Sequence, residues 1–577
     1  MSPTALNPDE AKGHHDSFTL PAVRNGHGGF KAEEVHASAA RAPEGGRFRV
    51  ESENTTYEAD GIRSRFVDRG AEVIRGEDGK YTVKKTETAY EFFTKSRVGK
   101  VGLLLVGLGG NNGTTTLATH LANKHNISWH TKSGVQTPNY IGSLVRASTV
   151  RLGTDSETGK DVHIPMGDML PMVHPDDFVI GGWDISGMRM DKAMERAQVL
   201  DWDLQRQLGV YMKDIKPMPG IYYPDFIAAN QADRADNLLP GSDKQAHLEH
   251  LRSDIRGFKA THDLDNLVVL WTANTERYAE IIPGVNDTAD NLLAAIKASH
   301  DEVSPSTIFA VAAILEGVPF INGSPQNTFV PGCMELAERH QSFIGGDDFK
   351  SGQTKVKSVL AEFLVNAGIK PLSIASYNHL GNNDGKNLSS HAQFRSKEIS
   401  KSSVVDDMVA ANPILYKTAA QLTAKTGEVH KKGEHPDHIV VIKHVPAVGD
   451  SKRAIDEYYS ELLMGGRNVM NIFNECEDSL LATPLIFDLA ILAELLTRIT
   501  YRQLPAPNAA ETETETEFKP LYSVLSLLSF MLKAPLVKPG TDVVNSLNRQ
   551  RNGLEAFLKA CVGLEGSGDL MLNTRVW

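Results

Sequence analysis

Cysteine is scarce in this chain of 577 residues: only Cys333, Cys476 and Cys561 occur, widely spaced and odd in number. That excludes a disulfide framework, offers no zinc-binding spacing and fits a reducing compartment. There is no HExxH, no paired CxxC, no GxSxG elbow and no Walker lysine. A protein-ligated metal and a serine nucleophile are therefore disfavoured. Positive charge is not in excess: 60 lysines and arginines face 72 aspartates and glutamates, a net charge of −12. This argues against a general nucleic-acid or membrane-surface partner, although a local basic pocket for a phosphorylated molecule stays open. Uninterrupted apolar runs are short. The longest near the C-terminus, Leu480–Leu496, contains Asp488 and Glu494 and reads as a buried helix, not a membrane span. The start, MSPTALNPDEAKGHHDS, has no apolar signal core and is not arginine-rich, so a cytosolic address is expected. What remains is ordinary globular material, 41% hydrophobic and 23% charged, long enough for two to four domains.

The most informative stretch is Val101–Thr116, VGLLLVGLGGNNGTTT. An apolar run stops at Gly107, glycines follow at Gly109, Gly110 and Gly113, and Thr114–Lys124 reads as a helix. A buried strand feeding a glycine turn that opens a helix is the geometry that holds a pyrophosphate. The pattern departs from the usual fingerprint, because Asn112 stands where the third glycine is expected. Nor does an acidic residue end a strand about 20 residues on.

The same strand–turn–helix rhythm recurs. Phe178–Ile180 runs into Gly181, Gly182, Trp183 and Asp184; Leu267–Trp271 runs into Thr272, Ala273, Asn274 and Thr275; Ile308–Leu315 leads on to Asn322–Thr328. Such apolar runs predict an α/β fold, a Rossmann-like doubly wound parallel sheet with helices on both faces. Its ligand crevice lies beyond the carboxyl ends of the strands, so these loops are expected to converge. From about Asp347 the texture changes. Thr354–Ala367 and Lys397–Asn412 read as helices, and Leu372–Ala375, His438–Val445 and Asn468–Phe473 as strands. We expect a disordered tail at 1–45 and a Rossmann-like domain at 46–350. An inserted α+β catalytic and oligomerisation domain is expected at 351–481, with a C-terminal segment, 482–577, returning to the first domain. Lys425–Pro436 and the ETETETE stretch within Pro505–Pro520 read as polar, solvated loops.

Chemistry-bearing residues are scattered. Asn382, Asn383, Asp384 and Gly385 form a turn signal that also suits sugar or ribose hydroxyls. Lys397 and Lys401 stand at i and i+4, on one helix face. Lys452 lies near Asp450, and Lys533 precedes Pro535. Asp348 and Ser351 sit in GGDDFKSG, and Asp478 and Ser479 in CEDSLLATP, where a helix cap is the competing reading for Asp478. His379, His438 and His444 show no partner by spacing and read as structural.

Taken in order, GLGGNNGTT, IGGWDIS, LWTANTER, NGSPQNTFVPG, GDDFKSGQTK, SYNHLGNNDGKNLS, FRSKEISKSS, GDSK and CEDSLLATPLI closely resemble the eukaryotic myo-inositol-1-phosphate synthases. The resemblance runs from about Phe48 to the C-terminus, with Leu108 where the family more often has tryptophan. It implies bound NAD and a redox-neutral cyclisation of D-glucose 6-phosphate: oxidation at C5, aldol closure between C6 and C1, then reduction at C5. It implies that Gly109, Gly110, Asn111 and Asn112 hold the pyrophosphate and that Asp184 takes the adenosine ribose. Thr272, Ala273, Asn274, Thr275, Gly323 and Ser324 would line the cofactor cleft, with Gln231, Arg234, Gly449 and Ser479 joining them. Asp348, Ser351, Asn382, Asn383 and Asp384 would fix the nicotinamide half and the sugar. Lys397, Lys401, Lys452 and Lys533 would surround the phosphate and the reacting oxygens, oriented by Asp450 and Asp478. A homotetramer is implied as well. Two other readings stay open at this point: a sugar-phosphate dehydrogenase that releases NADH, and a nucleotide-sensing protein without catalysis.

Overall fold

The computed structural model describes residues 35–505 and 517–566. The expected disordered tail therefore lies outside the described residues over 1–34, and most of the ETETETE stretch does so over 506–516. Residues 35–45 do not match the expectation of disorder. Ala37–Ala39 forms a 3-10 turn with Ser38 and Ala39 buried, and Ser38 Oγ accepts from Tyr140 N at 2.8 Å.

The chain first builds a long antiparallel hairpin, β1 (Gly61–Arg75) and β2 (Tyr81–Lys95). The parallel sheet begins with β3 (Val101–Val106), all six residues of which are buried. Helix α1 (Asn111–Lys124) follows, then β4 (Val179–Asp184), β5 (Met218–Pro219) and β6 (Asn266–Trp271). Next come α2 (Pro305–Leu315), β7 (Phe320–Asn322) and β8 (Ile344–Gly345). The strand order is β5-β4-β3-β6-β7-β8, every pair parallel. Numbered by sheet strand this is 3-2-1-4-5-6, the Rossmann order. Alternate residues of β3 enter two different cores: Val101, Leu103 and Leu105 one, Leu104 and Val106 the other. A central strand apolar on both faces is what a doubly covered sheet demands.

One expectation fails here. Ile308–Leu315 is not a strand but most of α2. Ser304 Oγ accepts from Thr307 N and Pro305 occupies the first turn, a start signal that overrides the strand-like composition. The strand is the short β7 beyond Gly317.

The inserted unit opens with α3 (Gly352–Asn366) and β9 (Lys370–Leu380). It continues through α4 (His391–Ser402), β10 (Asp437–His444), β11 (Ser451–Glu461) and β12 (Arg467–Glu477). These strands form a mixed sheet of order β10-β9-β11-β12. The helix expected over Lys397–Asn412 starts earlier, at His391, and breaks after Ser402 into a 3-10 turn and a short helix, Asp406–Ala410. Lys425 and Thr426, expected in the polar loop, form the last two residues of the helix Ala419–Thr426.

The chain then returns as α5 (Asp478–Thr497), and β13 (Ile499–Gln503) pairs with β2. Helix α5 is long and apolar enough to cross a membrane by composition, yet most of it is buried within the protein. Beyond its first residue, Asp478, the helix has two acidic residues, and both are satisfied. Glu494 pairs with Arg498 at 2.7 Å. Asp488 accepts from Ser143 Oγ (2.5 Å), Leu144 N (2.6 Å) and Val145 N (3.0 Å), and burial pushes its carboxyl up to about 6. Replacing Asp488 with Ala strands three buried donors, so Asp488→Ala should lower stability by about 3 kcal/mol in urea unfolding. A loss under about 0.5 kcal/mol would contradict this role.

Candidate functional site

The loops expected to converge do so around one cleft of about 1170 Å³, measured out to its mouth. Its first half is backbone and small side chains. β3 runs into Gly107 at φ +95°, where a Cβ would stand 2.6 Å from Ala273 Cα. A Cβ on Gly113 would stand 2.3 Å from the Leu108 carbonyl oxygen, so the glycine expected one position earlier performs its close-packing task here. The N-cap of α1 is Gly110, and no side chain caps the helix. The N–H groups of its first turn have no acceptor within the helix and carry its positive end. Gly110, Asn111 and Asn112 line the cleft at that point.

The carboxylate that seemed missing after α1 is Asp184, at the end of β4, the second strand of the Rossmann order. Asp184 accepts from Gly109 N (2.9 Å), Ser186 N (2.9 Å) and Arg234 (3.1 Å). Thr272, Ala273, Asn274 and Thr275 follow β6, Gly323 and Ser324 follow β7, and all six line the same cleft. Thr272 Oγ1 and Arg234 Nε are buried with no partner among the described residues. An uncapped helix start, glycines that keep a close approach open, and unsatisfied polar atoms beside a strand-end carboxylate fit a dinucleotide.

The second half is charged. Asp348 accepts from Lys397 Nζ (2.9 Å) and Lys533 Nζ (3.2 Å) on Oδ1 and from Ser400 Oγ (2.6 Å) on Oδ2. Lys397 and Ser400 are neighbours on α4. Lys533 reaches Asp348 from the C-terminal segment, and its own N–H donates to the Asp348 carbonyl at 2.7 Å. Lys452, at the start of β11, pairs with Asp478, the first residue of α5, at 2.9 Å. Asp478 is thus an ion-pair partner rather than the cap, which is Glu477. Asp450 binds Ser479 N (2.9 Å), Ser479 Oγ (2.9 Å), Asn111 Nδ2 (3.1 Å) and Asn382 Nδ2 (3.1 Å). It therefore ties α1 of the Rossmann sheet to the inserted unit. Asn383 makes a second tie, donating to Gln231 Oε1 (3.0 Å) and Asn274 Oδ1 (3.1 Å).

Burial works against every charge in this cluster, and neighbours decide which survive. Lys397, Lys533 and Ser400 overcome desolvation at Asp348 and hold its carboxyl well below the usual range. Lys397 is held above its ordinary value because Asp348 and Asp384 outweigh its burial. Asp478 and Asp384 do the same for Lys452. Burial and the neighbouring Asp478 raise the Asp450 carboxyl. Lys533 goes the other way: burial, with Lys397 and Lys452 nearby, pushes it down to about 7 despite Asp348. Lys401 is pushed well below its ordinary value by burial and by Lys452, Lys533, Lys357 and Lys397.

Asp348, Ser351, Asn382, Asn383, Asp384, Lys397, Lys452, Asp478, Ser479 and Lys533 line the cleft. Gly109, Gln231, Gly449, Asp450 and Lys401 stand behind it. Lys401 Nζ donates to Gln353 Oε1 and Asn378 Oδ1, both at 3.2 Å, and the Gly449 carbonyl accepts from Gly381 N at 2.9 Å. Sequence reasoning missed Ser400, Gln353, Asn378 and the apolar wall of Ile185, Ile221 and Phe309. Only Ser400 carried a signal, its place one turn from Lys397.

The turn beneath α1 is testable by itself. Gly113→Ala puts a methyl into the Leu108 carbonyl, so NAD affinity should fall at least about tenfold in a fluorescence titration, with a lower Tm. Unchanged NAD affinity would show that the close approach does not shape the cofactor loop.

Comparisons with known proteins agree with this geometry. The family described as myo-inositol-1-phosphate synthase matches residues 101–559. An inositol-3-phosphate synthase of Candida glabrata is 58% identical over 488 residues, 83% of this chain and 88% of that one. The human inositol-3-phosphate synthase 1 is 53% identical over 530 residues, 92% of this chain and 90% of that one. The crystal structure of inositol-3-phosphate synthase from Caenorhabditis elegans has a TM-score of 0.85 at 51% identity, covering 91% of this chain and 98% of that one. The chain belongs to the myo-inositol-1-phosphate synthase family.

Proposed function

We propose that this cleft converts D-glucose 6-phosphate to 1L-myo-inositol 1-phosphate by oxidation at C5, aldol closure of C6 onto C1, and reduction at C5. The observation that carries the reading is the buried lysine–aspartate cluster built onto the open end of a dinucleotide cleft. A dehydrogenase needs one proton acceptor there; this site supplies four lysines. NAD held by the loops after β3, β4 and β6 would supply the hydride acceptor and donor for C5.

The protein's own groups divide the remaining work. Lys533, poised near neutrality, suits the proton of the C5 hydroxyl, because a base works best with a pKa near the working pH. Lys397 and Lys452 stay protonated and stabilise oxyanions that develop in the enclosed site. Asp348 and Asp478 fix the positions of these ammonium groups. The phosphate suits the start of α3, where Ser351 is the N-cap and no side chain caps the helix. Asn378 Nδ2, buried without a partner among the described residues, faces the same need. A dianion beside Lys401 offsets the burial and the neighbouring lysines that disfavour its charge. Gly110, Asn111, Asn112 and Asp184 would hold the pyrophosphate and ribose, with Thr272–Thr275 and Ser324 along the cleft; Gly109, expected to join them, instead gives its N–H to Asp184.

The site is cytosolic in this proposal, and the enzyme is a homotetramer assembled through the inserted sheet. Support comes from one face of that sheet, where Tyr377, Ile455 and Phe473 lie in register. With Ile439 and Val469 they are exposed, an apolar patch that needs cover. Light scattering should give four chains per particle, and Phe473→Glu should give smaller ones; a wild-type monomer at micromolar concentration would refute the assembly.

Incubation with glucose 6-phosphate and NAD, followed by NMR of the product, tests the activity. Inositol phosphate should form with no net rise in NADH absorbance. NADH accumulating in step with an oxidised sugar product would establish the dehydrogenase instead.

Lys397→Ala and Lys452→Ala test the site assignment. Each should fold and bind NAD, yet lose turnover by roughly a hundred- to a thousand-fold, about 2.7–4 kcal/mol of barrier. Arginine at either position should not restore it, since a planar fork replaces a compact point charge. Lys425→Ala, at an exposed helix end, should match wild type. Near-normal rates in both alanine variants would remove these lysines from the mechanism.

A further inference from the structure

A second cavity, about 1020 Å³ out to its mouth, shares no lining residue with the cofactor cleft. Its walls are the C-terminal half of α1, the segments 129–141 and 199–204, and the first turns of α5. The apolar lining is aromatic and aliphatic, including Trp129, Tyr140, Leu204 and Phe487.

The polar lining is one-sided. Asn123 spends its amide N–H groups on the carbonyls of Thr119 (2.9 Å) and Asn139 (3.2 Å), which leaves Oδ1 without a partner among the described residues. Asn123 is 9% exposed. Thr483, 3% exposed, likewise leaves Oγ1 without a partner. Pro484, inside α5, has no N–H to give the Leu480 carbonyl one turn back. At the rim stand two exposed carboxylates, Asp201 and Glu477. Asp201 accepts from Trp129 Nε1 at 3.0 Å. Glu477 has neighbours of its own sign, Asp450 and Asp201, which together with burial raise its carboxyl. Acceptors and negative charge predominate in this lining.

We propose that this cavity is an effector site for a small primary ammonium ion carrying an apolar body. Three N–H donors match Asn123 Oδ1, Thr483 Oγ1 and the Leu480 carbonyl. The rim carboxylates favour the charge, and Trp129, Tyr140 and Phe487 take the apolar part and offer ring faces to the cation. Both helices that wall the cavity also build the cofactor cleft: α1 starts at Asn111 and Asn112, and α5 at Asp478 and Ser479. An occupant wedged between them therefore acts on the geometry of NAD binding. Reciprocity requires that NAD act equally on the occupant. The inference rests on the proposed use of NAD only for this coupling, since binding to the cavity is measured separately.

The test uses the full chain with NAD bound. Titration calorimetry with n-pentylammonium chloride, against matched sodium chloride, should show saturable millimolar binding, and 1-pentanol should bind at least about tenfold more weakly. Thr483→Val should weaken the amine at least about tenfold while leaving basal turnover unchanged, and the cavity-filling Ala122→Phe should weaken it by at least as much. In wild type the amine should shift the apparent KM for NAD at least about twofold. No binding, equal binding of 1-pentanol, undiminished binding in Thr483→Val, or an unmoved NAD KM would each overturn the proposal. Should Ala122→Phe fail to fold, Thr483→Val decides alone. An enzyme that proves to be a dehydrogenase leaves the calorimetric arm intact, so the two failures are distinguishable.

Discussion

A carboxylate in the interior, held ionised by two ammonium groups, is the constraint around which the rest of this molecule is arranged. Asp348 is 1% exposed, and Lys397 and Lys533 both end on one of its oxygens. Charges this deep are tolerated only when paired and hydrogen-bonded. The pairing cannot be made locally. Asp348 follows the last strand of the parallel sheet, Lys397 comes from a helix of the inserted unit, and Lys533 comes from the returning C-terminal segment. Three separate parts of the chain must meet for the charge to be satisfied. The site is consequently a product of the whole fold and not of any one motif.

The same logic explains why the cluster suits an anionic sugar. The lysines that line the cleft, Lys397, Lys452 and Lys533, face Asp348 and Asp478, and Lys401 lies close behind with no carboxylate of its own. Four lysines against these two carboxylates leave two positive charges in surplus, and burial expresses this as depressed values at Lys401 and Lys533. A bound phosphate dianion supplies what the protein withholds. Asp450 completes the arrangement mechanically by joining Asn111 of the cofactor loop, Asn382 of the inserted unit and Ser479 of α5.

How much of this was legible in the sequence depends on the range of each signal. The strand Val101–Val106 and its glycine turn are local, and they were readable. So were the strands His438–Val445, which the structure places one residue earlier at Asp437–His444, and Asn468–Phe473, which it extends to Arg467–Glu477. Asp184 was hidden from spacing because the chain between Lys124 and Val179 carries two extra hairpins, Trp129–Gln136 and Thr149–Pro165. These push the second sheet strand far from the first helix. Ile308–Leu315 misled because ten of the eleven residues of its helix are buried, so no polar stripe marks the helical period. The lysines were visible as residues, but their shared carboxylate was not, since only the tertiary fold brings α4 and the C-terminal segment to Asp348. Ser400, Gln353 and Asn378 act through contacts of that same kind.

The central claim is that Asp348 sets the protonation of the lysines around it. The most direct measurement follows lysine side-chain resonances through a pH titration, with ¹³C at Cε, in wild type and in Asp348→Asn. In wild type the Lys533 signal should titrate near pH 7, where burial places it, while Lys397 stays charged far above that. Removing the carboxylate's charge takes away the attraction that favours both ammonium ions. Both titrations should then move to lower pH in Asp348→Asn, with the fold retained. Lysine signals that all titrate above pH 10 in wild type, or that do not move in the variant, would contradict the account.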